Sequence, residues 1–233
     1  MQSGSPSTVL PDFPLPPDGG TFFYEQSLRR QGLCSPAGLD EAGRGPLAGP
    51  VVAGCVNLPA NCDFSRYQDS KKLTAARREQ LHAELRASDA VIGVGLATAE
   101  EIDQINILQA SLLAMQRAVA DCAVPPDFLL VDGKFKVPLA LPQLTLIKGE
   151  SKSASIAAAS IVAKVTRDQL MAEYHAQYPQ YNFLQHKGYP TKAHRAALAK
   201  HGPSPIHRKT FKGVREICQL LAPTTIHLDS PQK

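Results

Sequence analysis

Short apolar runs in this chain repeatedly end in an acidic residue. Gly38-Leu39-Asp40-Glu41 leads into a glycine-rich turn, and Phe128-Leu129-Leu130-Val131-Asp132-Gly133 closes on Asp-Gly. Leu144-Thr145-Leu146-Ile147-Lys148-Gly149-Glu150 repeats the form: apolar run, glycine, acid. Apolar runs of this length bounded by turn residues read as buried strands. Between them lie stretches of helical periodicity. One runs from about Thr74, a suitable N-cap, to Arg86. A second opens on the capping box Thr98-Ala99-Glu100-Glu101 and carries Ile102, Ile105, Leu108, Leu112, Met115 and Val119 at spacings of three and four, which predicts a core-facing stripe. A third begins in the small-residue stretch from Ser151 to Ala163 and continues to about Ala176. Strands alternating with amphipathic helices give an α/β layer fold.

The chemistry starts at Gly38-Leu39-Asp40-Glu41-Ala42-Gly43-Arg44-Gly45-Pro46-Leu47-Ala48-Gly49, followed by the apolar Val51 to Val56. This reads as strand, tight loop, strand. Neighbouring strand side chains face opposite ways, so Asp40 and Glu41 converge only where the strand ends and twists. Acids gathered at a strand end suit a hard cation such as Mg²⁺ or Mn²⁺. Gly43 and Gly45 let backbone N–H groups approach a ligand and make positive φ cheap, and Arg44 between them adds a planar phosphate donor. A capped surface turn is the plainer account of the same residues. The glycines fit neither G-x-G-x-x-G nor G-x-x-x-x-G-K-[ST], so the segment gives no support to a nucleotide cofactor.

Asp132 at the end of its strand repeats the Asp40 arrangement, at the sheet edge where α/β proteins collect their sites. Asp40, Glu41, Asp132 and Glu150 together form an acid set suited to two-metal phosphoryl chemistry. Paired acids also serve glycoside hydrolysis. The rest of the chain favours nucleic acid. From Tyr174 to Arg215 there is no acid, while Lys187, Lys192, Arg195, Lys200, Arg208, Lys209, Lys212 and Arg215 interleave with Tyr174, Tyr178, Tyr181, Phe183, Tyr189 and Phe211. Such residues neutralise phosphates and stack on bases or sugars, and five histidines in the span add latent charge. A solvated basic helix pair is the alternative. Thr191 caps a helix predicted over residues 192–200 with Gly202 just past it, and another is expected over 214–221.

The chain has 233 residues, 43% of them hydrophobic, enough for one sizeable domain with an appendage. The net charge of +4 by itself says little about partners. Five cysteines without a C-x-x-C pair argue against a disulfide framework or zinc ribbon and for a reducing compartment. No apolar run approaches a membrane span and no secretory pattern opens the chain, so a cytoplasmic protein is expected. Residues 1–32 are rich in Pro, Ser and Gly and read as a disordered or draped extension.

These motifs resemble type 2 ribonuclease H, bacterial ribonuclease HII. The resemblance is carried by Gly38 to Val51, Asp69-Ser70-Lys71-Lys72-Leu73, Leu130-Val131-Asp132-Gly133, Ala158 to Asp168 and His186-Lys187-Gly188-Tyr189-Pro190-Thr191. It spans roughly residues 36 to 215. It implies an RNase H-like mixed sheet flanked by helices over residues 33–178, with a small, basic helical C-terminal part over 179–233 that binds substrate. The implied activity is hydrolysis of the RNA strand of RNA–DNA hybrids. The family also nicks 5′ of ribonucleotides embedded in duplex DNA, leaving 3′-hydroxyl and 5′-phosphate ends.

By resemblance, Asp40, Glu41 and Asp132 are the metal-binding acids and Glu150 matches the fourth acidic position. That position is usually Asp in the family, and Glu150 is one methylene longer. The Gly43-Arg44-Gly45 turn is similar to the family's reader of the ribose 2′-hydroxyl. Tyr189 resembles the tyrosine that packs on the sugar at the DNA side of the junction. Lys71, Lys72 and Lys187 are expected phosphate contacts by charge. No organic cofactor or membrane partner is implied, and a monomer is expected. Two readings compete: a nuclease acting on DNA structures, and a hybrid-binding protein with a decayed site.

Overall fold

The computed structural model describes residues 20–67, 70 and 73–221. Strands β1 (Pro36–Ala42), β2 (Val51–Asn57), β3 (Val91–Ala97), β4 (Phe128–Asp132) and β5 (Gln143–Leu146) form one sheet in the order β3-β2-β1-β4-β5. β1, β2 and β3 pair antiparallel, while β4 runs parallel to both β1 and β5. This is the mixed sheet of the α/β class. Helices α1 (Phe23–Arg30), α2 (Ala75–Arg86), α3 (Ala99–Ala120), α4 (Ala154–Gln177), α5 (Phe183–His186), α6 (Lys192–His201) and α7 (Arg215–Leu221) surround it.

The two sheet faces are built by close approach. A Cβ on Gly38 would lie 2.2 Å from the Ile156 nitrogen, so β1 can meet α4 only through glycine. On the opposite side, a Cβ on Gly95 would lie 2.1 Å from the Ala114 carbonyl oxygen of α3. The small residues Ala157, Ala158 and Ala159 of α4 are fully buried, as their run in the sequence predicts. Leu39, Ala53, Leu129 and Val131 pack with α3 residues, and Val56, Leu81, Leu85 and Val162 fill the other layer.

The three predicted threonine caps are present. Thr74 accepts from the Arg77 N–H, Thr98 makes the full capping box with Glu101, and Thr191 accepts from the His194 N–H. The apolar stripe of α3 is interrupted. Asn106 has φ 68° and ψ 165°, and its side chain recaps the helix by accepting from the Leu108 and Gln109 N–H groups. Along the stripe, Ile102 and Met115 are buried while Ile105, beside the break, is 37% exposed.

The expected loose extension over residues 1–32 needs correction at its end. Phe23–Arg30 is helical, Phe22 is buried and stacks on Phe64, and Leu28 is buried against Phe128 and Leu130. The buried Glu25 carboxylate accepts from the Ser153 hydroxyl at 2.6 Å and the Ser155 N–H at 2.9 Å, tying α1 to the start of α4. The proline-rich residues 6–17 lie outside the described residues, as do the last twelve. Among the described residues, no helix is long and apolar enough to cross a membrane.

Candidate active site

Register places the acids. Leu39 pairs with Val131 across the parallel β1–β4 ladder, so Asp40 and Asp132 follow side by side at the C-terminal edge of the sheet. Asp132 is steadied by the Gly149 N–H, which donates to its Oδ1 at 2.7 Å. Glu41, the next residue on β1, lies where the strand runs out at Ala42. All three line one cavity of about 330 Å³, together with Gly43, Arg44, Gly45, Ser70, Ser160, Lys164, Arg167 and Tyr189.

The electrostatics of this cavity are those of crowded carboxylates. Asp40 is driven well above the usual carboxylate range, first by burial and then by the charges of Glu41 and Asp132. Hydrogen bonds from the Ser160 hydroxyl and the Glu41 N–H offset part of that. Glu41 is raised by burial and by Asp132, against the pull of Arg44, whose Nη1 lies 3.1 Å from its Oε1. Among the described residues, no three His, Cys, Asp or Glu side chains are already drawn together tightly enough to hold a metal. The donor set fits a hard divalent cation in kind: oxygen ligands only, like charges converging, and ionisation made costly unless positive charge arrives.

Glu150 sits in a turn of 3₁₀-helix, Gly149–Ser151. Its Oε2 is 3.5 Å from Ser160 Oγ, and it is not among the lining residues of the cavity. Ser160 also meets Ser70 Oγ at 2.8 Å. The structure thus brings Asp40, Glu41 and Asp132 together and sets Glu150 one side chain behind them.

The glycine turn differs in detail from expectation. Gly43 has φ +100°, and a Cβ there would meet Arg167 Nε at 2.1 Å, so glycine is required twice over. Gly45 does not use positive φ, and its Cβ would meet only the Tyr189 ring, at 3.7 Å. Tyr189 is 44% exposed and faces the turn across the cavity. Lys187 lies outside this cavity and lines a neighbouring cleft with Arg78, Asp168 and Leu184. Lys71 and Lys72 fall outside the described residues.

The basic segment is partly core. Tyr181, Phe183, His186, His194, His207 and Arg208 are buried. The three histidines do not supply latent charge. His194 and His186 stack with centroids 4.4 Å apart, and His194 Nε2 lies 3.0 Å from His207 Nε2. Backbone donors set the tautomers. The Ser204 N–H donates to His207 Nδ1, so His207 donates from Nε2 to His194, and His194 donates from Nδ1 to the Tyr189 carbonyl. Burial above all holds these imidazoles neutral, with His194 pushed down to about 4 and His207 to about 3. Lys192, Arg195, Lys200, Lys209 and Lys212 remain exposed.

Four polar cavity residues were not singled out from sequence: Ser70, Ser160, Lys164 and Arg167. The last three recur at i, i+4 and i+7 on α4, a polar row beginning in its small-residue, apolar first half, and that spacing was the available signal.

The model of the family described as Ribonuclease HII matches residues 37–214. A ribonuclease HII of Syntrophotalea carbinolica is 56% identical over 199 residues, covering 85% of this chain and 95% of that protein. One from Desulfotalea psychrophila is 58% identical over 205 residues, covering 87% and 90%.

The chain belongs to the ribonuclease HII family.

Ribonuclease HII enzymes cleave the RNA of RNA–DNA hybrids and depend on divalent metal, and this chain is a ribonuclease H hydrolase. Its fold agrees. The crystal structure of ribonuclease H2 from Pyrococcus horikoshii superposes with a TM-score of 0.66 at 27% identity, covering 80% of this chain and 98% of that one.

Proposed function

We propose that this ribonuclease HII cuts at RNA–DNA junctions, nicking duplex DNA on the 5′ side of an embedded ribonucleotide as well as hydrolysing the RNA strand of hybrids. The observation that carries the reading is a single cavity whose floor is Asp40, Glu41 and Asp132 and whose walls are the Gly43-Arg44-Gly45 turn and Tyr189. Floor and walls divide the work between bond cleavage and recognition.

Two Mg²⁺ or Mn²⁺ ions held by Asp40, Glu41, Asp132 and Glu150 would supply an activated water and stabilise the departing oxygen of an in-line displacement. The products are a 3′-hydroxyl and a 5′-phosphate. Water oxygen bonds to phosphorus as the bond to the upstream 3′-oxygen breaks, and that oxygen leaves with a proton. Glu150, behind Ser160, is the outer member of the acid set, and Ser160, itself paired with Ser70, lies between it and the cavity.

The turn and Tyr189 supply the selectivity. The 2′-hydroxyl both donates and accepts, and it is the group that separates RNA from DNA at one position. Backbone groups of Arg44 and Gly45, unshielded by bulky side chains at Gly43 and Gly45, suit close approach to it. The Tyr189 ring, 3.7 Å from where a Cβ on Gly45 would lie, suits packing on the neighbouring sugar. Lys71, Lys72 and Lys187 are proposed to contact backbone phosphates. The protein acts as a monomer, without organic cofactor, in the cytoplasm.

The test is a duplex carrying one ribonucleotide in a DNA strand, incubated with protein and Mg²⁺ or Mn²⁺ beside an all-DNA control. One cut 5′ to the ribonucleotide, absent in the control and with Asp40→Asn, is expected. Cutting of both duplexes refutes the junction reading. Binding without cutting in either metal refutes the catalytic one. Glu150→Ala with unchanged activity and metal dependence removes Glu150 from the acid set.

A further inference from the structure

We propose that Arg208 is a positioning residue for ribonucleotide recognition, holding the Gly43-Arg44-Gly45 turn by its carbonyls so that the turn's N–H groups face the cavity. The inference rests on the proposed reading of that turn as the 2′-hydroxyl reader.

Arg208 lies in a run of basic residues, yet it is fully buried. Its guanidinium spends itself on backbone. Nη2 donates to the Gly43 carbonyl at 2.6 Å and to Gly49 at 2.9 Å. Nη1 donates to Arg44 at 3.0 Å and to Pro46 at 2.8 Å, and Nε donates to Gly49 at 3.0 Å. Every nitrogen of the fork is used, on four carbonyls of one loop. Among the described residues it has no carboxylate within ion-pair distance. Besides these carbonyls the guanidinium meets the Phe211 ring, 5.0 Å from its centre, and a buried cation solvated by carbonyl dipoles and one ring face is costly unless those groups are held in place. The loop and the guanidinium therefore fix each other.

Peptide geometry turns this clamp into an aiming device. In a planar trans peptide, C=O and the following N–H point in opposite directions. Drawing the Gly43 and Arg44 carbonyls onto Arg208 sends the Arg44 and Gly45 N–H groups the other way. Both residues line the cavity, and among the described residues neither N–H has a protein acceptor. Arg44 and Gly45 thus present two donors whose direction is set from behind by Arg208.

The same short segment also reaches the opposite wall. His207, next in the chain, acts through His194 on the Tyr189 carbonyl. The segment itself is anchored from α3, where Asp103 accepts from the Lys209 and Thr210 N–H groups at 2.8 and 2.9 Å. Residues 207 and 208 therefore set the spacing between turn and tyrosine, the gap that a ribose would occupy.

Arg208→Lys keeps the charge but concentrates three donors at one point, too few and too compact for four carbonyls. Single-turnover rates with enzyme in excess would be measured on two duplexes. One carries a single ribonucleotide and the other a 2′-fluoro nucleotide at the same place, whose fluorine is a far poorer acceptor for the turn's N–H groups than the hydroxyl oxygen. The rate ratio of ribonucleotide over 2′-fluoro is the readout, because partial unfolding lowers both rates alike. Arg208→Lys is expected to reduce that ratio at least tenfold while leaving the Mg²⁺ concentration for half-maximal rate unchanged. An unchanged ratio, at any absolute rate, overturns the inference. If Arg208→Lys does not fold, Arg208→Gln, whose amide still donates two hydrogen bonds, is read the same way. A wild-type enzyme that cuts both duplexes equally overturns the underlying reading of the turn, an outcome visible before any variant is made.

Discussion

Asp40 and Asp132 stand side by side on parallel strands, each one residue beyond the paired Leu39 and Val131. Burial of Asp40, with the charges of Glu41 and Asp132 beside it, raises its carboxyl above the usual range. Asp40→Asn and Asp132→Asn should each remove a cation ligand. Loss of several kcal/mol of transition-state stabilisation corresponds to roughly a thousandfold or more in rate. Hybrid binding should persist or tighten, since one fewer negative charge faces the phosphates. Cleavage assays paired with binding titrations check both halves, and a normally cleaving variant would remove that residue from the site.

Gly43 and Gly45 look equivalent in the sequence but are not equivalent in the fold. Gly43→Ala places a Cβ at positive φ and against Arg167, so it should destabilise the protein by about 1–3 kcal/mol. Gly45→Ala meets only the edge of Tyr189 and should change stability by no more than about 0.5 kcal/mol. It should still raise KM for a ribonucleotide-bearing duplex, because the added methyl enters the gap between turn and ring. Urea unfolding of the two variants beside their cleavage kinetics separates the effects. Equal stability losses would contradict the observed φ difference.

What could be read from the sequence was the part written in local pattern. Strand ends carrying Asp40 and Asp132, the threonine caps and the small-residue face of α4 follow from periodicity and turn chemistry. Residues whose meaning depends on distant chain were not legible. Arg208 in a basic run looks like a phosphate ligand, and only its burial against residues 43–49 reveals a clamp. His186, His194 and His207 look like latent charge until they are seen stacked and neutral. Helix α1 was masked by the prolines before it, although Phe22, Tyr24 and Leu28 carry its buried face. Asn106 gave no local sign that it would break α3, because asparagine tolerates the left-handed side of φ without requiring it.

The neutral histidine chain makes stability depend on pH in a definable direction. His194 and His207 titrate near 4 and 3 in the fold, below the ordinary 6.5. Between those limits the unfolded chain binds protons that the fold does not, so stability rises with pH through that window. Their contribution is fully present above about pH 6.5 and is lost as pH falls below it. Going from pH 7 to pH 5 should cost roughly 2 kcal/mol per imidazole. Urea unfolding at both pH values checks the wild type. His207→Gln should lose one imidazole's share of the pH dependence, and an unchanged dependence would place the titrating groups elsewhere.

With Arg208, His186, His194 and His207 assigned to the interior, the substrate-facing charge of the C-terminal part falls to exposed residues such as Lys192 and Lys209. An exposed lysine on a duplex acts through its charge on phosphates, not through base edges. Lys192→Ala and Lys209→Ala should therefore weaken binding by the same factor on every sequence. Each should also reduce the slope of log K against log salt by about one unit if a full phosphate contact is lost. Titrations of two unrelated hybrid sequences at several salt concentrations test this. A variant that weakens one sequence and spares the other would mean that these lysines read bases. Lys209 carries the sharper test, because its backbone is held by Asp103 and its side chain can be removed without loosening the Arg208 clamp.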